Sequence, residues 1–121
     1  MELQEVNSYY EQLLKLLDKD KLFKNADLNL PDFARRLKLH PNRLSYVVNR
    51  KVGVNFQKFI NQFRIKEAKQ MLESPAYQHY SLLGIGLEAG FNSKSNFYAT
   101  FKKETGKTPK AYQEAMVVAV K

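Results

Sequence analysis

Residues 85–112 read IGLEAGFNSKSNFYATFKKETGKTPKAY, and residues 33–59 read FARRLKLHPNRLSYVVNRKVGVNFQKF. Phe33, Ala34, Leu37 and Leu39 stand 52 residues before Ile85, Gly86, Ala89 and Phe91. Leu44, Val48, Gly53 and Phe59 stand 53 residues before Phe97, Phe101, Gly106 and Tyr112. One pattern is therefore used twice, with a single residue added in the turn of the second copy. A repeat of this period is the mark of one supersecondary unit made in duplicate. Each copy predicts a short helix, a tight turn and a longer helix rich in basic and small polar residues. Two such units present two recognition surfaces.

The flanking sequence extends this reading. Leu3, Val6, Tyr10, Leu13, Leu14 and Leu17 recur at steps of three and four, which predicts an amphipathic helix over roughly 2–19. The Asp-Lys run at 18–21 ends it, and Phe23 and Leu28 anchor the connection that follows. Asn29 is an N-cap, Pro31 suits a first helical turn, and Asp32 completes a capping-box pattern. His40-Pro41 separates the first short helix from a second, whose inner face is Leu44, Val47 and Val48, and Gly53 closes that helix in the left-handed region. Asn55 opens a helix to about Glu73 that buries Phe56, Phe59, Ile60, Phe63, Ala68, Met71 and Leu72 before Ser74-Pro75 stops it. In the second copy Ser81 and Ser93 are caps, Gly90 is the turn, Gly106 is the stop, and Thr108-Pro109 starts a last helix with Ala111 and Tyr112. The apolar tail Val117-Val118-Ala119-Val120 has no evident role. The fold class is all-α, with about seven helices. The segments are 1–28 (amphipathic helix and connection), 29–54 (first helix-turn-helix), 55–74 (connector), 75–116 (second helix-turn-helix and final helix) and 117–121 (tail).

The charge is uneven. Of the 121 residues, 20 are Lys or Arg and 12 are Asp or Glu, a formal net charge of +8. Residues 1–30 hold six acids and four bases, so the whole positive excess belongs to the repeated region. That balance favours a polyanion, nucleic acid before anionic membrane, over a merely solvated surface. There is no cysteine, which excludes thiolate metal sites, disulfides and cysteine nucleophiles. His40 and His79 lie in a turn and a loop without a carboxylate pair, phosphate loop or metal-ligand spacing, so no enzyme, metal or cofactor is expected. No apolar run reaches the ~18 residues of a membrane span, and Met1 is followed by Glu2 and Glu5, not by a secretory signal. A cytoplasmic, bacterial location without membrane contact is expected.

Gly90-Phe91-Asn92-Ser93-Lys94-Ser95-Asn96-Phe97, Phe101-Lys102-Lys103, Gly106-Lys107-Thr108-Pro109 and Tyr112 together resemble the DNA-binding domain of AraC/XylS-type transcription regulators. The upstream copy agrees at Leu44-Ser45, Gly53, Phe59, Arg64 and Ala68-Lys69. The resemblance covers about residues 29–113. It implies two helix-turn-helix units joined by a long helix, each placing its second helix in the major groove on one side of double-stranded DNA. A connector of ~28 Å is compatible with grooves ~34 Å apart. Three positions depart from the pattern: Gln113 replaces the usual Arg, Gly86 the usual Ala, and Lys38 stands where the second copy has Gly90. Gly86 is expected to loosen its helix by up to ~1 kcal/mol, and Lys38 to make the first turn less tight.

A helix in the major groove meets bases with its outward N-terminal turns. In the first copy that face offers Asn42, Arg43, Ser45, Tyr46 and Asn49, and in the second Lys94, Ser95, Asn96, Tyr98 and Ala99. Asn suits adenine and Arg suits guanine. Ser93, with the amides of its helix start, Arg50, Lys51, Lys102 and Lys103 fit phosphate. Arg64 fits either a phosphate or, slightly better, a structural role. RNA polymerase is a candidate partner, and a sensor domain, ligand-binding or membrane-anchored, is expected upstream in a longer protein. The competing reading is a helical interaction module that binds an acidic partner through its basic face, or that docks through its acidic first helix.

Overall fold

Every α-helix start after the first is set by a local side-chain cap. The computed structural model describes the backbone of residues 1–120 and the side chains of residues 1–116. Seven α-helices and two short 3-10 turns account for its regular structure, and no strand occurs among the described residues. The chain forms two compact units, 1–61 and 62–121.

The first unit begins with α1, Leu3–Asp18, followed by a 3-10 turn at Leu22–Lys24. Helix α1 buries Val6, Leu13 and Leu17, whereas Leu3, assigned to the same stripe from sequence, is 63% exposed. Leu3, at the very start of the helix, lies past the edge of the core. Helix α2, Leu30–Arg36, opens with the expected capping box: Asn29 Oδ1 accepts from the Asp32 amide at 3.1 Å, and Asp32 Oδ2 accepts from the Asn29 amide at 3.0 Å. Helix α3, Pro41–Val52, starts at His40, whose Nδ1 accepts from the Asn42 amide at 3.2 Å. It ends at Gly53 with φ 78°. Phe33, Ala34, Leu44, Val47 and Val48 are fully buried, and the Phe33 ring meets Phe56 edge-on at 5.3 Å.

Helix α4, Phe56–Glu73, starts where Asn55 Oδ1 accepts from the Lys58 amide at 2.8 Å. It begins in the first unit and ends in the second. Phe63, expected inside, is only half-buried. Arg64 and Glu67 are buried instead, a polar pair of positions that hydrophobic periodicity does not flag.

The second unit continues with a 3-10 turn at Pro75–Tyr77. Helix α5 is Leu82–Glu88, capped by Ser81 Oγ on the Gly84 amide at 2.9 Å. Helix α6 is Lys94–Thr105, capped by Ser93 Oγ on the Asn96 amide at 3.1 Å. Helix α7, Pro109–Val120, is capped by Thr108 Oγ1 on the Ala111 amide at 3.1 Å. The tail at 117–120 continues the α7 backbone, and what its side chains pack against lies outside the described residues. Ile65, Ala68, Met71, Leu72, Ile85, Ala89, Phe91, Phe97 and Phe101 form the core, with Tyr112 edge-on to Phe101 at 5.4 Å. Burial, then the Glu73 carboxylate, raise the Tyr112 pKa.

The repeat holds residue by residue. Both ends of α5 lie 52 positions after those of α2, and both ends of α6 lie 53 after those of α3. The added residue, Asn92, sits in the second turn.

One sequence expectation is corrected here and another is extended. Lys38 does not loosen the first turn. It adopts φ 57°, and the amides of Lys38 and Leu39 reach Arg35 O at 3.1 Å and Ala34 O at 2.9 Å. Those of Gly90 and Phe91 reach Leu87 O at 3.1 Å and Gly86 O at 3.0 Å. The closures match, so the non-glycine residue accepts left-handed strain in place of a wider turn. Lys38→Gly is expected to stabilise the first unit by about 0.5–1 kcal/mol, the relief exceeding the added chain entropy. A urea midpoint that stays or falls would contradict this. Gly86, in turn, is a packing requirement more than a loosening: a methyl placed there would lie 2.5 Å from Phe97 Cγ and 3.0 Å from Cε2.

Candidate nucleic-acid interface

Burial of Leu44, Val47 and Val48 fixes how α3 is rolled, and Phe97 and Phe101 do the same for α6. On α3, Asn42, Arg43, Tyr46, Asn49, Arg50 and Lys51 are exposed and Ser45 is half-buried. On α6, Ser93, Lys94, Ser95, Asn96, Ala99, Lys102 and Lys103 are exposed and Tyr98 is half-buried. Fifteen of the sixteen residues singled out from sequence therefore reach solvent on the two second helices or at their starts.

Arg64 is the exception. It is 5% exposed on α4, and burial lowers its pKa. A guanidinium so enclosed has little surface to offer a phosphate, which favours the structural one of its two expected roles.

Contacts divide the α3 residues further. Arg43 Nη2 lies 3.7 Å from Glu5 Oε2, with side chains 53% and 48% exposed. Lys51 Nζ donates to Asn7 Oδ1 at 2.8 Å and lies 5.5 Å from the centre of the Tyr10 ring. Burial and the Asp18 carboxylate raise the pKa of that tyrosine. One flank of α3 thus belongs to α1, which packs along it. The acidic helix that sequence offered as a docking element for another molecule is docked within its own unit. Asn42, Ser45, Tyr46, Asn49 and Arg50 keep side chains without a polar partner among the described residues.

On α6, Asn96 is tied along its own helix: its Nδ2 donates to Asn92 Oδ1 at 3.1 Å, and its Oδ1 accepts from Thr100 Oγ1 at 3.2 Å. Lys94 Nζ sits 5.4 Å from the centre of the Tyr98 ring, which meets Phe97 edge-on at 5.7 Å. Ser95, Ala99, Lys102 and Lys103 stand at the register positions of Asn42, Tyr46, Asn49 and Arg50. One face is left open on each helix, at matching positions and with different chemistry: amide and aromatic with one cation, Arg50, on α3, small residues with two cations on α6.

Sequence reasoning missed Glu5, Asn7 and Tyr10 as neighbours of α3. The available signal was the spacing of Arg43, Val47 and Lys51 at four-residue steps, which puts two cations on one stripe, with carboxylates concentrated in the first 30 residues.

The helix-turn-helix domain family matches residues 33–115. The chain belongs to the AraC-type helix-turn-helix family. An uncharacterized HTH-type transcriptional regulator of Staphylococcus aureus (strain MSSA476) is 32% identical over 103 residues, which are 85% of this chain and 13% of that protein. The chain therefore spans about an eighth of this relative's length. A transcriptional regulator of Chromobacterium violaceum described as AraC-type DNA-binding superposes with a TM-score of 0.70 at 22% identity, covering 88% of this chain and 96% of that one. The DNA-binding domain of AdpA, solved with a target DNA, superposes with a TM-score of 0.75 at 19% identity, covering 88% and 90%. This AraC-type domain is a sequence-specific DNA-binding module. The competing reading of a module for acidic protein partners is not favoured. Among the described residues no helix is long and apolar enough to cross a membrane, and no cluster of three metal-ligating side chains occurs.

Proposed function

We propose that α3 and α6 each enter a major groove, in two successive turns of one duplex, and that the two do different work. Helix α3 reads bases through Asn42, Tyr46 and Asn49, with Ser45 at the edge. Helix α6 chiefly grips the backbone through Lys102 and Lys103, with Ser93 and its helix start on a phosphate and with Ser95, Ala99, Tyr98 and Lys94 shaping a shallower contact. The supporting observation is the matched open face on the two helices, with Asn42, Tyr46 and Asn49 beside the single cation Arg50 in one copy and Ser95 and Ala99 beside Lys102 and Lys103 in the other. Paired amide hydrogen bonds can identify adenine, whereas lysine on phosphate holds any sequence.

The relatives' greater length supports a parent protein with an upstream sensor. RNA polymerase remains the natural target for a regulator bound beside a promoter. The bacterial cytoplasm is the compartment such a role requires.

Selection of sites from random duplexes tests the assignment. Asn42→Ala is expected to cost about 1–3 kcal/mol on the selected site and to relax one base position. Lys102→Ala is expected to weaken selected and random duplexes alike. An Asn42→Ala protein that selects the same site with unchanged affinity removes Asn42 from the readers.

A further inference from the structure

We propose that Glu5 is an internal counter-ion that competes with DNA for Arg43, setting how far this arginine contributes to binding by α3. The inference rests on the groove assignment above and goes beyond it. Arg43 occupies the third position of α3, within the turn that a groove-bound helix brings nearest the bases. A cation there opposes the positive end of the helix dipole, and α3 has no acid in its first turn to offset it. Glu5 supplies the missing negative charge from another helix, at 3.7 Å. Its own position is favourable, since it lies in the first turn of α1.

The helix that carries Glu5 is held in place. Helix α1 is anchored by the burial of Val6, Leu13 and Leu17, and it grips α3 a second time at Lys51 through Asn7 and Tyr10. The Glu5 backbone therefore stays beside Arg43, and only the two side chains need ordering to pair. Both side chains remain about half exposed, so a phosphate or a guanine edge can reach the same guanidinium. DNA and Glu5 draw on one group, and each must displace the other. The second copy has no such device: Asn96, at the register position of Arg43, is neutral and bonded to Asn92 and Thr100.

Equilibrium binding to a selected duplex tests this with wild type, Glu5→Gln, Glu2→Gln, Arg43→Ala and the Glu5→Gln/Arg43→Ala double variant. Glu2 is exposed, lies just before α1 and makes no side-chain cap, so its change alters net charge equally without touching Arg43. Glu5→Gln is expected to tighten binding about three- to tenfold, the scale of an exposed ion pair plus one lost repulsion from phosphate. Its salt slope should steepen by about 0.9, as one further cation engages. Glu2→Gln should stay within about twofold, and Glu5→Gln should gain nothing once Arg43 is absent. Equal gains from Glu2→Gln and Glu5→Gln, a gain that survives in Arg43→Ala, or weaker binding by Glu5→Gln would each overturn the proposal. So would wild-type binding that Glu5→Gln leaves unchanged, and in that case the groove assignment would stand. A wild type that binds no duplex would remove the groove assignment first and the counter-ion with it. Melting curves confirm that each variant is folded.

Discussion

Gly86→Ala is expected to destabilise the second unit by about 1–3 kcal/mol, the usual cost of forcing an extra methyl into a packed core. The direction is unusual, because alanine is the better helix former by ~1 kcal/mol and would ordinarily stabilise such a site. Here the Phe97 ring occupies the space: the methyl would fall 2.5 Å from its Cγ, and Phe97 is itself fully buried between Phe91 and Phe101 at centroid distances of 5.2 and 5.8 Å. It has nowhere to retreat. The first copy solves the same crossing with the sizes redistributed, Ala34 and Leu44 standing where the second copy has Gly86 and Phe97. Phe97→Leu alone should cost about 1–2 kcal/mol through the space it leaves. The double variant, which rebuilds the first copy's pair, should cost less than the sum of the two by about 1 kcal/mol or more. Denaturant melts of the four proteins decide this. Strict additivity would mean that the two side chains do not share the space described.

The second large effect is on binding. Arg50, Lys94, Lys102 and Lys103 point outward on the recognition helices, and Arg43 and Lys51 are engaged by α1. Contact with about four to six phosphates predicts a loss of affinity of about 10²–10³ between 50 and 200 mM salt. Titration of one labelled duplex across that range measures it. An affinity flat in salt would show apolar burial to be in control, and the cationic faces of α3 and α6 would lose their assigned role.

Much of this was legible in the sequence because it is local. Asn29, Ser81, Ser93 and Thr108 cap helices from within a few residues, and Gly53, Gly90 and Gly106 stop them by backbone geometry, so position along the chain suffices to place each helix. The outward faces of α3 and α6 followed from the apolar stripes on their other sides. What escaped depends on residues far apart in the chain. The role of Gly86 is set by a ring eleven positions later across a turn. The neutralisation of Arg43 comes from Glu5, and the anchoring of Lys51 comes from Asn7. The enclosure of Arg64, for which the sequence leaned only slightly to a structural role, is set by what surrounds α4. Lys38 shows the opposite limit: a residue ill-suited to its backbone angle is carried there by the hydrogen bonds around it.

The constant register between the copies has a practical meaning for anyone wishing to retarget this domain. Solvent-side residues can be transplanted between α3 and α6 one for one, 53 positions apart, since the bounds of the two helices correspond. Whole helices cannot be traded in that way. Phe97 carried into the first scaffold would meet the methyl of Ala34, and Leu44 carried into the second would leave a hollow over Gly86. The two helices share one layout of outward positions and differ in how they are seated.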